Sequence, residues 1–124
     1  MLQRLILIIL LLAGLTTFAE ETKFTMTAQN IVSAGDQFSL TLMLNDKGED
    51  LRMPQLDNFD ILMGPSVSQS RSFQSINGKM TQSVNYTFTY VLRAQKVGKY
   101  TIPPASIKSN RNIFESNSLT IEVI

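Results

Sequence analysis

The sequence predicts an all-β chain, an immunoglobulin-like antiparallel β-sandwich preceded by a signal peptide. Three observations carry that reading. Apolar residues recur at every second position in several short runs, the period at which a strand turns one face to a core. Glycine, asparagine and proline punctuate those runs at short intervals. No stretch beyond residue 19 shows the spacing of an amphipathic helix.

The chain has 124 residues, enough for one domain. Its start has the three-part layout of a secretory signal. Arg4 supplies a basic beginning, Leu5 to Leu15 is an almost unbroken apolar run, and Thr16-Thr17-Phe18-Ala19 ends in a small residue before Glu20-Glu21. Cleavage is expected between Ala19 and Glu20, leaving a domain over 20–124. The rival reading is an uncleaved membrane anchor, but the run falls short of the roughly 20 apolar residues a spanning helix needs. No cysteine lies near the cleavage point, which excludes an amino-terminal lipid anchor there. With Arg4 set aside, ten basic residues face ten acidic ones. Such a balance gives no electrostatic reason to bind nucleic acid or anionic lipid. An exported domain without cysteine must be held by its core alone.

The elements follow in order. Phe24, Met26 and Ala28 alternate with threonines. Ala34-Gly35-Asp36 turns the chain into a second run, where Phe38, Leu40, Leu42 and Leu44 alternate with Ser39, Thr41 and Met43. Asp46-Lys47-Gly48-Glu49-Asp50 reads as a polar loop. Asn77-Gly78 is the preferred pair for a two-residue type I′ turn, because both central residues need positive φ. With that turn, Val67 faces Phe88, Gln69 faces Tyr86 and Arg71 faces Val84. Extended further, the same register sets Met63 against Leu92 and Ile61 against Ala94. Phe59, Ile61, Met63, Val67 and Phe73 then share a face with Val84, Tyr86, Phe88, Tyr90 and Leu92, a set that a one-residue slip would scatter. Thr81–Leu92 reads as a central strand with one buried face. Ser66–Ser75 is polar on both faces and follows Gly64-Pro65; proline cannot donate to a ladder, so this arm reads as an edge. Gly98 ends the next turn, Tyr100 and Ile102 alternate, and Pro103-Pro104 interrupts. Ile107 resumes, Asn110-Arg111-Asn112 turns, and Leu119, Ile121 and Val123 form a last strand. About seven short strands separated by turns make a sandwich. Its expected core includes Phe38, Leu40, Leu42, Tyr86, Phe88 and Tyr90.

The composition removes much chemistry. There is no histidine and no cysteine, hence no Ser-His-Asp triad, no thiolate nucleophile and no imidazole metal site. Asp57 and Asp60 flank Asn58-Phe59 and suggest either a calcium or acid/base pair or a polar loop before a strand, the second reading being preferred. Asp46, Glu49 and Asp50 resemble an acidic calcium loop, but Lys47 lies among them and the spacing fits no such loop. Gly-Lys at 78–79 and 98–99 belongs to no GxxxxGK[ST] pattern. Met26 and Met63 fall on apolar faces and read as core filling rather than oxidant sinks. Asn85-Tyr86-Thr87 fits a glycosylation sequon, but mid-strand. No catalytic residue, metal or cofactor is expected. What remains is the edge arm, with Ser68, Ser70 and Ser72 as candidate partner-binding residues: such an edge accepts a partner strand, is blunted by Ser, Gln and Arg71, or is covered by a neighbouring domain. A secreted ligand- or carbohydrate-binding module is the alternative, though the chain has no tryptophan to offer as a platform.

Several phrases, taken together, resemble the BatD family of the Bacteroides aerotolerance operon, also called the oxygen tolerance family. They are AGDQFSLTLMLN at 34–45, FDILMGPSVSQS at 59–70, INGKMTQSVNYTFTYVLRA at 76–94, GKYTIPPASI at 98–107 and SNSLTIEV at 116–123. The resemblance implies an exported, non-catalytic protein with immunoglobulin-like domains in the periplasm, held in the inner membrane by a helix near the C-terminus of a full-length parent. It implies partners among von Willebrand A-domain proteins, tetratricopeptide-repeat proteins and a MoxR-type ATPase, and a link to survival of oxygen or envelope stress. It supplies no catalytic residues. The chain is far shorter than such proteins and is expected to be the first domain of a longer one.

Overall fold

Alternation makes the strands, and what each strand meets decides which face is buried. The computed structural model describes residues 21–124; the expected signal peptide over 1–19 and the expected cleavage point between Ala19 and Glu20 lie outside the described residues. Ten strands follow one another: β1 (Phe24–Ala28), β2 (Ile31–Val32), β3 (Gln37–Leu44), β4 (Glu49–Arg52), β5 (Phe59–Ile76), β6 (Lys79–Ala94), β7 (Gly98–Ile102), β8 (Ser106–Ser109), β9 (Asn112–Glu115) and β10 (Leu119–Val123). No helix among the described residues is long and apolar enough to cross a membrane.

A four-stranded sheet in the order β1-β3-β6-β5 forms one layer, and two three-stranded sheets, β2-β10-β7 and β4-β8-β9, form the other. All pairs are antiparallel except β2 with β10, which is parallel. In β3 the alternation is complete: Phe38, Leu40, Leu42 and Leu44 are buried, while Ser39 and Met43 face solvent. One continuous core joins these to Phe24, Met26, Phe88, Tyr90, Leu92 and Ala94 of the same layer and to Ile102, Ile107, Ile121 and Val123 of the other. Tyr86, expected in the core, is half-buried against its rim. Phe59 joins the layers through edge-to-face contacts with Phe38 at 5.6 Å and Tyr100 at 5.8 Å, an arrangement worth about 0.5–1.5 kcal/mol per pair beyond burial.

Side chains close the gaps that the ladders leave. The Asn117 carboxamide accepts from the Met26 amide at 2.8 Å and donates to the Met26 carbonyl at 2.9 Å. One side chain therefore stands in for a neighbouring strand at the outer edge of β1. Where Pro103-Pro104 interrupts pairing, the Ala105 amide donates to Ser116 Oγ at 2.9 Å and the Ser116 amide donates to the Ala105 carbonyl at 2.8 Å. Buried Ser109 donates to the Lys47 carbonyl at 2.6 Å. Among the described residues no buried side-chain polar atom lacks a partner, as a chain without disulfides requires.

The β5–β6 hairpin departs from the sequence reading in length and in register. Asn77 and Gly78 have φ of 52° and 76°, the I′ signature, and the pairs Val67↔Phe88, Gln69↔Tyr86 and Arg71↔Val84 are as predicted. Beyond the proline the register differs. Met63 faces Val91 and not Leu92; Ile61 faces Leu92 and not Ala94, which pairs with Phe59. Two bulges, between Ile61 and Met63 and between Met63 and Ser66, each put one extra residue on β5. Pro65 has no amide proton for the ladder. Gly64, at φ +117°, passes so close to β6 that a Cβ there would lie 2.7 Å from the Thr89 carbonyl oxygen. The two shifts together restore the original face, so Phe59, Ile61, Val67 and Phe73 keep the shared face, whereas Met63, paired with Val91 between the shifts, lies on the opposite one. Burial does not extend along the shared face: of the outgoing apolar residues Phe59 is buried, whereas Ile61, Met63, Val67 and Phe73 are at least half exposed. Met63 is thus not core filling, while Met26 is. Two further corrections concern elements read as loop or turn. Glu49-Asp50 opens β4, and Asn112 opens β9 after a two-residue turn at Asn110-Arg111.

Phe88→Ala should therefore lower the unfolding free energy by about 3–5 kcal/mol, whereas Phe73→Ala should change it by about 0.5 kcal/mol or less; urea unfolding of both variants checks the contrast. Burial pushes the Tyr90 phenol above the ordinary tyrosine value of 10.0. The folded state then holds this proton more tightly than the unfolded chain. That contribution is fully present below pH 10.0 and is lost as pH climbs through the raised value. Tyr90→Phe should flatten the alkaline limb of a stability–pH profile and leave the neutral region's pH dependence unchanged.

Candidate interaction surface

β3 accompanies β6 only as far as the pair Leu44↔Tyr86. From Ser70↔Asn85 to Ile76↔Lys79, β5 and β6 have only each other. The 18-residue β5 and 16-residue β6 thus outrun the 8-residue β3 and project as a two-stranded arm. An isolated ribbon of two strands is marginal in water. This one is continuous with the packed sheet at its root. Near the tip the Ser72 and Ser83 hydroxyls bond to each other, and Thr81 Oγ1 donates to the Gln74 carbonyl at 3.2 Å.

The pleat gives the arm two unlike faces. One carries Ser66↔Thr89, Ser68↔Thr87, Ser70↔Asn85, Ser72↔Ser83 and Gln74↔Thr81. The other prolongs the core face with Val67↔Phe88, Gln69↔Tyr86, Arg71↔Val84, Phe73↔Gln82 and Ser75↔Met80. Ser68, Ser70 and Ser72 stand together on the hydroxyl-rich face, exposed, on the outermost strand of the sheet. The sequence reading missed the opposite face as a surface. Phe73 is 62% and Met80 76% exposed, although the period-2 pattern marks both like core residues. The available signal was length: a hairpin twice as long as its neighbouring runs cannot be covered to its tip.

At the root of the arm lies a cleft of about 400 Å³, lined by Tyr86 of β6, by Lys47, Gly48 and Glu49 before and at the start of β4, and by Lys108, Asn110 and Arg111 around the β8–β9 turn. Gly48 sits against Leu44 and Ile107 with no room for a side chain, which brings the Lys47–Glu49 backbone close to the core. Three of the five carboxylates considered as sites are separately engaged. Asp60 accepts from Gln95 at 2.6 Å. Asp46 accepts from Asn110 Nδ2 at 2.9 Å and from the Lys47 amide at 2.7 Å. Asp50 pairs with Arg52 at 3.2 Å across open solvent. Among the described residues no three carboxylates gather as a metal site would need. The three tyrosines are buried or half-buried, so they form no flat sugar-stacking platform.

No curated protein and no solved structure matches the chain. A family model described as the BatD DUF11-like domain matches residues 25–123, from the second residue of β1 to the last of β10, and the chain therefore belongs to the BatD family.

Proposed function

We propose that this aerotolerance-associated, BatD-like chain is exported to the periplasm and acts there without catalysis, as a protein-interaction domain of an envelope-stress complex. The observation that supports this best is the placement of β5. It is the outermost strand of its sheet, it runs beyond the body of the domain, and it presents Ser68, Ser70 and Ser72 to solvent. An outer strand offers main-chain donors and acceptors to an added strand, and its alternate side chains set which strand fits. The partners in this reading are von Willebrand A-domain and tetratricopeptide-repeat proteins, the classes that the family resemblance implies, with membrane attachment supplied by a longer parent.

Photo-crosslinking amino acids at positions 68, 70 and 72, introduced into the protein in its native envelope, test this directly. Thr120, exposed on β10 of the opposite layer, is the control site; Thr87 is unsuitable because it pairs with Ser68. Adducts with von Willebrand A-domain or tetratricopeptide-repeat proteins are expected from the three β5 sites and not from Thr120. Equal yields from Thr120, or none from any β5 site, would reject β5 as the contact strand.

A further inference from the structure

The face of the arm opposite Ser68, Ser70 and Ser72 is a second surface with different chemistry. Val67, Phe73 and Met80 are each 60% exposed or more, and Val84 and Tyr86 continue them to the root as half-buried residues. Contiguous exposed apolar side chains rimmed by polar groups mark binding surfaces more often than solvent-facing structure. The charge on the arm has one sign: from Ser66 to Thr89 it carries Arg71 and Lys79 and no aspartate or glutamate. Arg71 lies on the apolar face itself, opposite Val84. At the foot of the arm, Tyr86 forms one wall of the cleft that Lys47, Lys108 and Arg111 line, against the single carboxylate of Glu49. Among the described residues the one ion pair is Arg52 with Asp50; Glu49 faces Lys108 across the β4–β8 pair, which leaves Lys47 and Arg111 in excess in the cleft lining.

We propose that this apolar face and the basic cleft at its root together bind an extended acidic polypeptide segment, its apolar side chains on Val67, Phe73 and Val84 and its carboxylates against Lys108 and Arg111. Two features select this occupant. The ribbon is two strands wide, with about 4.8 Å between strands, and its side chains repeat on this face about every 6.8 Å; that is the repeat at which an extended chain presents its own alternate residues. The cations line a concavity that a protruding carboxylate side chain can enter. Complementary charge of this kind fixes register and speeds encounter. The surface is distinct from the outer edge of β5, so either can fail without the other.

Fluorescence anisotropy tests the proposal with the protein isolated from cells expressing the full chain. The probes are two labelled nonapeptides, one alternating glutamate with valine and the other alternating lysine with valine. The glutamate peptide should bind about tenfold or more tightly than the lysine peptide, with the preference shrinking as salt rises. Lys108→Glu with Arg111→Glu should abolish the preference. Phe73→Ser with Val84→Ser should weaken the glutamate peptide about tenfold. Both double variants should keep the wild-type melting temperature within a few degrees, since the changed residues lie outside the buried core. Equal affinity for both peptides, binding to neither, or binding indifferent to both double variants would overturn the proposal. So would uptake by phosphatidylglycerol vesicles without peptide binding, which would make the surface a membrane contact. A concentration-dependent dimer lost in the Phe73→Ser, Val84→Ser variant would overturn it in favour of a second copy.

Discussion

Everything in this molecule is referred to β6. It is hydrogen-bonded to β3 on one side and β5 on the other, and its residues Phe88, Tyr90, Leu92 and Ala94 fill the middle of the core. The position along β6 at which β3 stops divides the strand into two regimes. On the Ala94 side of Tyr86 it is the central strand of a covered sheet, and alternation is rewarded by burial. Towards Lys79 the same alternation continues with nothing laid on it. The projecting arm, its unlike faces and the cleft at its root all follow from that one mismatch in strand length.

This also explains which parts of the structure were legible in the sequence. Asn77-Gly78 fixed the hairpin because positive φ at two successive residues is a local demand that few pairs meet. The core positions of β1, β3 and β10 were legible because each alternates fully and each is covered. The register failed beyond Gly64-Pro65 because a bulge is a compromise between two strands, and one strand's sequence does not show how many residues its partner supplies. β4 and β9 were missed for a related reason. Glu49-Asp50-Leu51-Arg52 and Asn112-Ile113-Phe114-Glu115 have no apolar alternation facing the core; they are strands because β8 lies between them and completes their ladders. The pattern reported the side to which Val67 and Phe73 point, and burial depends on whether anything lies on that side.

The family assignment and the geometry bear on different questions. Membership rests on a match that runs nearly from one end of the folded region to the other, so it concerns the whole sandwich. The arm concerns what that sandwich can present. A domain with a disulfide-free core and paired polar groups can tolerate such a projection, because the residues that hold it together lie elsewhere. The proposed recognition surface and the core thus occupy different stretches of the same two strands, which lets one vary with little cost to the other.

The parallel pairing of β2 with β10 has a mechanical consequence. The Glu122 amide donates to the Asn30 carbonyl at 2.8 Å, the Ile124 amide to the Val32 carbonyl at 2.9 Å, and the Ala34 amide to the Ile124 carbonyl at 2.9 Å. In a parallel pair the two strands point the same way. A pull on Ile124 against the amino-terminal side therefore drags the strands past each other along their length. The three bonds bear that shear together, whereas an antiparallel hairpin pulled open at its end yields one bond at a time. The two-residue β2, slight as a structural element, thus sits where tension through the domain would be resisted.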